Sequence, residues 1–163
     1  MEQLKIIKEE KQIKSCIFTG HRELGEDFSL RKLQKEIKNL IDKGVDTFYN
    51  GMAMGFDLIS AECVLKCKKK NPQIKLIACI PFYGQENSFS EKDKKRYVKI
   101  YKKADEKVLL SENYYKGCLL VRNKYMAERA DVMITYCKKE KGGTAYTVNC
   151  FQKLHPDGEI INI

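Results

Sequence analysis

Cys16-Ile17-Phe18-Thr19-Gly20-His21-Arg22 decides the reading of this chain: a short apolar run breaks directly into a glycine and two side chains able to carry positive charge. The run reads as a buried strand. The glycine reads as the tight turn behind it, where the backbone can approach an anion closely. The pattern recurs twice. Thr47-Phe48-Tyr49 leads into Asn50-Gly51-Met52-Ala53-Met54-Gly55-Phe56-Asp57, and Val132-Met133-Ile134 leads, past a lysine-rich stretch, to Gly142-Gly143-Thr144. Three such turns in one small α/β domain are expected to meet in a single crevice along the carboxyl edge of a sheet. That expectation points to a nucleotide-like ligand and leaves open whether it is bound, cleaved or sensed.

Working outward, strand and helix patterns alternate. Residues 15–19 read as a strand. Ser29 reads as an N-cap, followed by the apolar face Leu30, Leu33, Ile37, Leu40 and Ile41, with Gly44 as the stop. Strands are expected at 46–50, 74–80, 107–110, 131–136 and 159–163, and helices at 57–70, 91–104, 116–130 and 144–154. Near-continuous apolar strands joined by helices imply a parallel sheet covered on both faces. The predicted fold is therefore a single α/β domain, a Rossmann-like three-layer sandwich with a mostly parallel central sheet over residues 15–163. Residues 1–14 form a charged N-terminal extension, either frayed or a short extra strand.

The bulk properties bound the function. The chain has 163 residues, enough for one domain with its own core. No apolar run approaches the length of a membrane span, and the N-terminus lacks the apolar segment of a signal peptide. Of seven cysteines, Cys16, Cys63, Cys79, Cys118 and Cys137 lie in or beside apolar runs and read as small buried hydrophobes. That usage fits a reducing cytoplasm. Cys63 and Cys67 have no second pair at zinc spacing, so no metal site is expected. The net charge of +9 reads either as a solvated lysine-rich surface or as attraction for a polyanion. The densest patch, residues 91–103, holds seven Lys/Arg against two acids. Within it Tyr97, Ile100, Tyr101 and Ala104 make one helical stripe toward the core.

Several residues could carry chemistry, each with a plainer alternative. Arg22 can grip a phosphate bidentately, and His21 either exchanges a proton or is a hydrogen-bonded structural histidine. His155, in a His-Pro turn, reads as structural. Gly51 and Gly55 open a helix whose dipole favours an anion. Asp57 reads equally as the N-cap of that helix or as a contact for ribose hydroxyls. Phe82-Tyr83-Gly84-Gln85 either stacks on and reads a base or is a packed turn. Arg122, beside Asn123, needs solvent or an anionic partner. Gly142-Gly143-Thr144 reads as a second phosphate cradle, its potential raised by Lys138, Lys139 and Lys141.

Taken together, the segments at 16–22, 51–57, 80–86, 122–126 and 142–148 resemble the YpsA-like family of the SLOG superfamily, in order and without a large gap. That superfamily also holds the LOG phosphoribohydrolases and the DprA DNA-processing proteins. The resemblance implies a Rossmann-like domain that binds a nucleotide-derived ligand related to ADP-ribose or NAD. It implies no fixed cofactor, and it leaves a homo-oligomer and a nucleic-acid partner open. It also exposes a departure. LOG enzymes carry Pro-Gly-Gly-x-Gly-Thr-x-x-Glu with a catalytic glutamate, and Thr147 stands where that glutamate would be. Arg122 matches the LOG arginine, whereas Asn123 matches the Arg-Asn of DprA. N-glycosidic hydrolysis would then need a carboxylate from elsewhere, with Asp57 and Glu128 as the candidates.

Overall fold

A computed structural model describes residues 12–163. The elements alternate throughout: β1 (Ser15–Gly20), α1 (Leu30–Asp42), β2 (Thr47–Asn50), α2 (Phe56–Lys68), β3 (Lys75–Ile80), a short 3-10 helix (Gln85–Ser88), α3 (Glu91–Lys103), β4 (Glu106–Leu109), α4 (Cys118–Arg129), β5 (Val132–Tyr136), α5 (Gly143–Leu154) and β6 (Ile160–Asn162). The six strands form one sheet in the order β4-β3-β2-β1-β5-β6, and every pairing is parallel. The expected Rossmann-like sandwich is the observed fold, with an all-parallel sheet. The expectation for the N-terminal extension falls, for residues 1–11, outside the described residues; residues 12–14 carry no regular element.

Side-chain alternation along the strands builds the two outer layers. Cys16 and Phe18 of β1 enter a core with Leu33, Ile37 and Leu40 of α1, Val64 of α2 and Tyr97 and Ile100 of α3. Ile17, one residue out of phase, enters a second core with Met126 and Ala127 of α4 and Phe151 of α5. Helices α1–α3 therefore cover one face and α4–α5 the other. Phe18 stacks on Phe48 at 5.8 Å, and burying a ring of this size contributes about 1.5–3 kcal/mol. The stripe on α3 is buried at Tyr97, Ile100 and Ala104, but Tyr101 is 40% exposed, a correction to the expected core stripe. Cys137 is only partly buried, unlike the fully buried Cys16 and Cys79.

The local boundaries follow their capping chemistry. Ser29 Oγ accepts from Lys32 N at 3.1 Å to start α1. Helix α2 begins one residue earlier than the pattern suggests, and its N-cap is Gly55, with no side-chain cap. Asp57 is thus the second residue of α2, which overturns its reading as N-cap. Helix α4 starts at Cys118 behind an N-cap at Gly117, so Lys116 belongs to the preceding loop.

Candidate functional site

The chain lays down β1 to β4 in one direction and then crosses to β5 on the other side of β1. The connections leaving the paired carboxyl ends of β1 and β5 diverge there, the usual place for a ligand in an open parallel sheet. A cleft of about 970 Å3 lies at that point, within the range of small-molecule sites. Loops after β1 and β5, the start of α2 and the first turns of α4 line it. The turns expected to converge do so.

Of the expected site residues, Gly20, His21, Arg22, Asp57, Arg122, Asn123, Gly142, Gly143 and Thr144 line the cleft; Gly51, Gly55 and Gln85 do not. The glycines divide by what a side chain would meet. A Cβ at Gly20 would stand 2.6 Å from Phe56 Cβ, and one at Gly51 would stand 2.7 Å from Arg122 Cζ. At Gly55 it would stand 2.5 Å from the Arg22 carbonyl carbon, and φ is +75°. These three are glycine because protein packs on them. Phe56 N donates to His21 O at 3.1 Å, which locks the β1 turn onto the start of α2. Gly142 and Gly143 differ: nothing lies within 4 Å of a Cβ at either, and Gly142 has φ +111°. As the opening residues of α5, Gly143 and Thr144 have no intrahelical partner for their N–H groups.

His21 ties the two loops together. Its backbone N donates to Tyr136 O at 3.3 Å, and its Nε2 accepts from Lys138 N at 2.8 Å. The acceptor role places the ring proton on Nδ1. Burial, reinforced by Lys139, pushes its pKa down, which favours that neutral form. Tyr136 Oη donates to Asp27 Oδ1 at 2.6 Å and holds that carboxyl below its ordinary pKa. Five cationic side chains line the cleft (Arg22, Arg122, Lys138, Lys139 and Lys141) against Glu23, Asp27 and Asp57, so its potential favours an anion.

Beneath the cleft lies a buried polar frame. Arg122, 4% exposed, donates from Nη1 to Gly51 O and from Nε to Asn123 Oδ1 at 2.7 Å. Gln85 Nε2 donates to the same Gly51 O at 3.1 Å, so Gln85 supports the frame from below. Asn123 Nδ2 donates to Thr147 Oγ1 at 2.8 Å, and Thr147 Oγ1 donates to Gly143 O at 2.8 Å. Thr147 is fully buried and fixes the first turn of α5. Asp57 is 6% exposed; its Oδ2 accepts from Ala53 N at 3.2 Å, while Oδ1 has no partner. Burial pushes its pKa up to about 6, against the pull of Arg122. Glu128 stands outside the cleft, in ion pairs with Lys124 and Arg129.

Sequence reasoning missed several contributors, Asn50, Gly117 and Tyr114 among them. Asn50 holds the β2–α2 turn: its Oδ1 accepts from Met52 N at 2.8 Å and its Nδ2 donates to Asp57 O at 2.8 Å. It supports Met52 at φ +59°, a strained value for a bulky residue. Gly117 and Tyr114, in the β4–α4 connection, also line the cleft. An Asn before a glycine was a readable signal for the first; nothing in the run Tyr114-Tyr115-Lys116-Gly117 distinguished the other two. Among the described residues, no group of His, Cys, Asp or Glu forms a metal site, and no helix is long and apolar enough to cross a membrane.

A doubly wound parallel sheet with a cationic cleft at its switch point defines a Rossmann-like domain. The family model described as the YspA SLOG family matches residues 8–159, and the chain belongs to that family. Among relatives, a UPF0398 protein of Halalkalibacterium halodurans is 28% identical over 137 residues, covering 82% of this chain and 72% of that protein. The UPF0398 protein YpsA of Bacillus subtilis is 25% identical over 154 residues, 86% of each. The SPbeta prophage-derived protein YoqJ of Bacillus subtilis is 30% identical over 148 residues, 77% of this chain and 86% of that one. Among solved structures, DNA processing protein A of Helicobacter pylori, described for its single-stranded DNA binding mode, superposes with a TM-score of 0.63 at 19% identity. The match covers 88% of this chain and 62% of that one. It shows the shared fold.

Proposed function

We propose that the cleft binds a nucleotide-derived, phosphorylated small molecule. One observation carries this reading: α5 begins on the cleft wall at Gly142 and Gly143, where a side chain would meet nothing within 4 Å, among Arg22, Lys138, Lys139 and Lys141. Free N–H groups, the helix dipole and nearby cations together favour a phosphate. In this reading Arg22 clamps the phosphate from the opposite loop and Thr144 adds a hydroxyl donor. Gly20, Gly51 and Gly55 act indirectly, by letting the turns pack. Asp57 faces the ribose.

Binding is favoured over N-glycosidic hydrolysis by the state of Thr147. Its hydroxyl is committed to Gly143 and Asn123, and it has no charge to set against an oxocarbenium ion. A second reading, single-stranded nucleic acid, draws on the fold shared with the Helicobacter pylori protein and on the +9 charge. Calorimetry with AMP, ADP-ribose and an oligodeoxythymidine at two salt concentrations separates the readings. Small-nucleotide binding with a shallow salt dependence supports the first. A steep fall of oligonucleotide affinity with salt, and no nucleotide binding, supports the second.

A further inference from the structure

Aromatic side chains on the carboxyl edge separate sharply by position. Tyr83, in the turn expected to read a base, is 79% exposed and outside the cleft lining. Tyr114 is 64% exposed and lines the cleft. Its ring packs against Phe82 at 5.2 Å and 80°, an edge-to-face contact that fixes the ring from one side. The loop beneath it is pinned. Tyr83 N donates to Ser111 O at 3.2 Å, Asn113 N donates to Ser111 Oγ at 3.3 Å, and Cys118 N donates to Tyr115 O at 3.1 Å. Leu119 and Leu120, at the start of α4, continue the apolar wall. This wall leaves β4, on one side of β1; the Gly142–Thr144 cradle leaves β5, on the other. The cleft thus has a cationic end and an aromatic, apolar end on different connections.

We infer that Tyr114 is the stacking platform for the base of the ligand, with Phe82 as its buttress. The inference rests on the phosphate-binding reading above and adds the chemical class of the ligand's other end: a flat, aromatic, uncharged group such as a nucleobase. A phosphate alone leaves the Tyr114 wall unused. A nucleoside phosphate has a chemical group to offer each end. Stacking on a held tyrosine is sequence-tolerant, because every base offers a π-face, so Tyr114 selects for a base without selecting strongly among bases.

The test uses the full chain and two probes, AMP and ribose 5-phosphate, titrated by calorimetry into wild type, Tyr114→Ala and Tyr114→Phe. AMP is expected to bind wild type more tightly than ribose 5-phosphate. Tyr114→Ala is expected to weaken AMP by about tenfold and leave ribose 5-phosphate unchanged, while Tyr114→Phe stays within about twofold of wild type for both. Melting curves of the three proteins establish that the exposed substitution leaves the fold intact. Equal AMP affinity in Tyr114→Ala and wild type overturns the platform, as does a wild type that binds both probes equally; in both cases the phosphate reading stands. If neither probe binds wild type, both fall.

Discussion

Replacing Gly143 by alanine should stabilise the protein and impair it at once. Gly143 is the first residue of α5, its φ is not positive, and a Cβ there meets nothing within 4 Å. Alanine loses less backbone entropy than glycine on entering a helix, worth roughly 0.5–1 kcal/mol in an interior position and toward the low end of that at the first turn. A structural account therefore predicts a melting temperature equal to wild type or slightly higher. A phosphate seated on the first N–H groups of α5 would meet the new methyl group. Loss of one charge-assisted hydrogen bond is worth about 1.5–3 kcal/mol, or roughly tenfold to a hundredfold in affinity. Thermal melts and AMP titrations on the same preparations read both effects. An unchanged AMP dissociation constant in Gly143→Ala would refute the cradle. A marked fall in stability would show that the open space at Gly143 had been misjudged.

Other substitutions probe the parts in turn. Gly55→Ala should cost 3 kcal/mol or more, on the order of a broken core contact, because its Cβ meets backbone of His21 and Arg22 at a φ of +75°; denaturant melts within about 1 kcal/mol of wild type would show that the turn can shift. Arg22→Ala should keep the fold and weaken AMP by about 1.5–3 kcal/mol; an equal dissociation constant would make Arg22 a bystander. Asp57, with a folded pKa pushed up to about 6 from an unfolded value near 3.9, binds its proton more tightly when folded. Its contribution is thus lost as pH rises from about 4 through about 6. Asp57→Asn should flatten that slope; a slope unchanged between pH 4 and 6 would place the titration elsewhere. His21 has the opposite sign: its pKa is depressed by burial, so the stability of the Lys138 tie is present above about 6.5 and fails in acid. His21→Gln should remove that acid sensitivity from melting curves, and retention of the full sensitivity would contradict the tie.

Much of this was legible in the sequence, and the reasons differ by element. The strands were readable because apolar runs such as 74–80 are buried on both faces and carry no competing pattern. The helix starts were readable where a side chain caps, as at Ser29, and shifted where glycine caps, as at Gly55 and Gly117. Convergence of the turns followed from the parallel sheet alone. The roles of the glycines did not. Gly20 and Gly143 look alike in a sequence, yet one is covered by Phe56 and the other faces open space, a difference that depends on residues distant along the chain. Of the two readings of Asp57 the cap is excluded for the same local reason: the cap lies two residues earlier, at Gly55, which places Asp57 in the buried frame beside Arg122. Gln85 lies outside the cleft because a 3-10 turn at 85–88 carries it under Gly51, and Tyr114, which lines the cleft against Phe82, sits in a loop whose local pattern carries no signal of it.

The central claim is that a phosphorylated nucleotide occupies the cleft between the β1 and β5 turns. The most direct measurement is a two-dimensional amide NMR titration of the labelled protein with AMP. The account predicts saturable shifts at the backbone N–H groups of Gly143 and Thr144, accompanied by Gly20 to Arg22 and Tyr114, with α3 unmoved. Shifts confined to the lysine face of α3, or no saturable shift at Gly143 and Thr144, would contradict it.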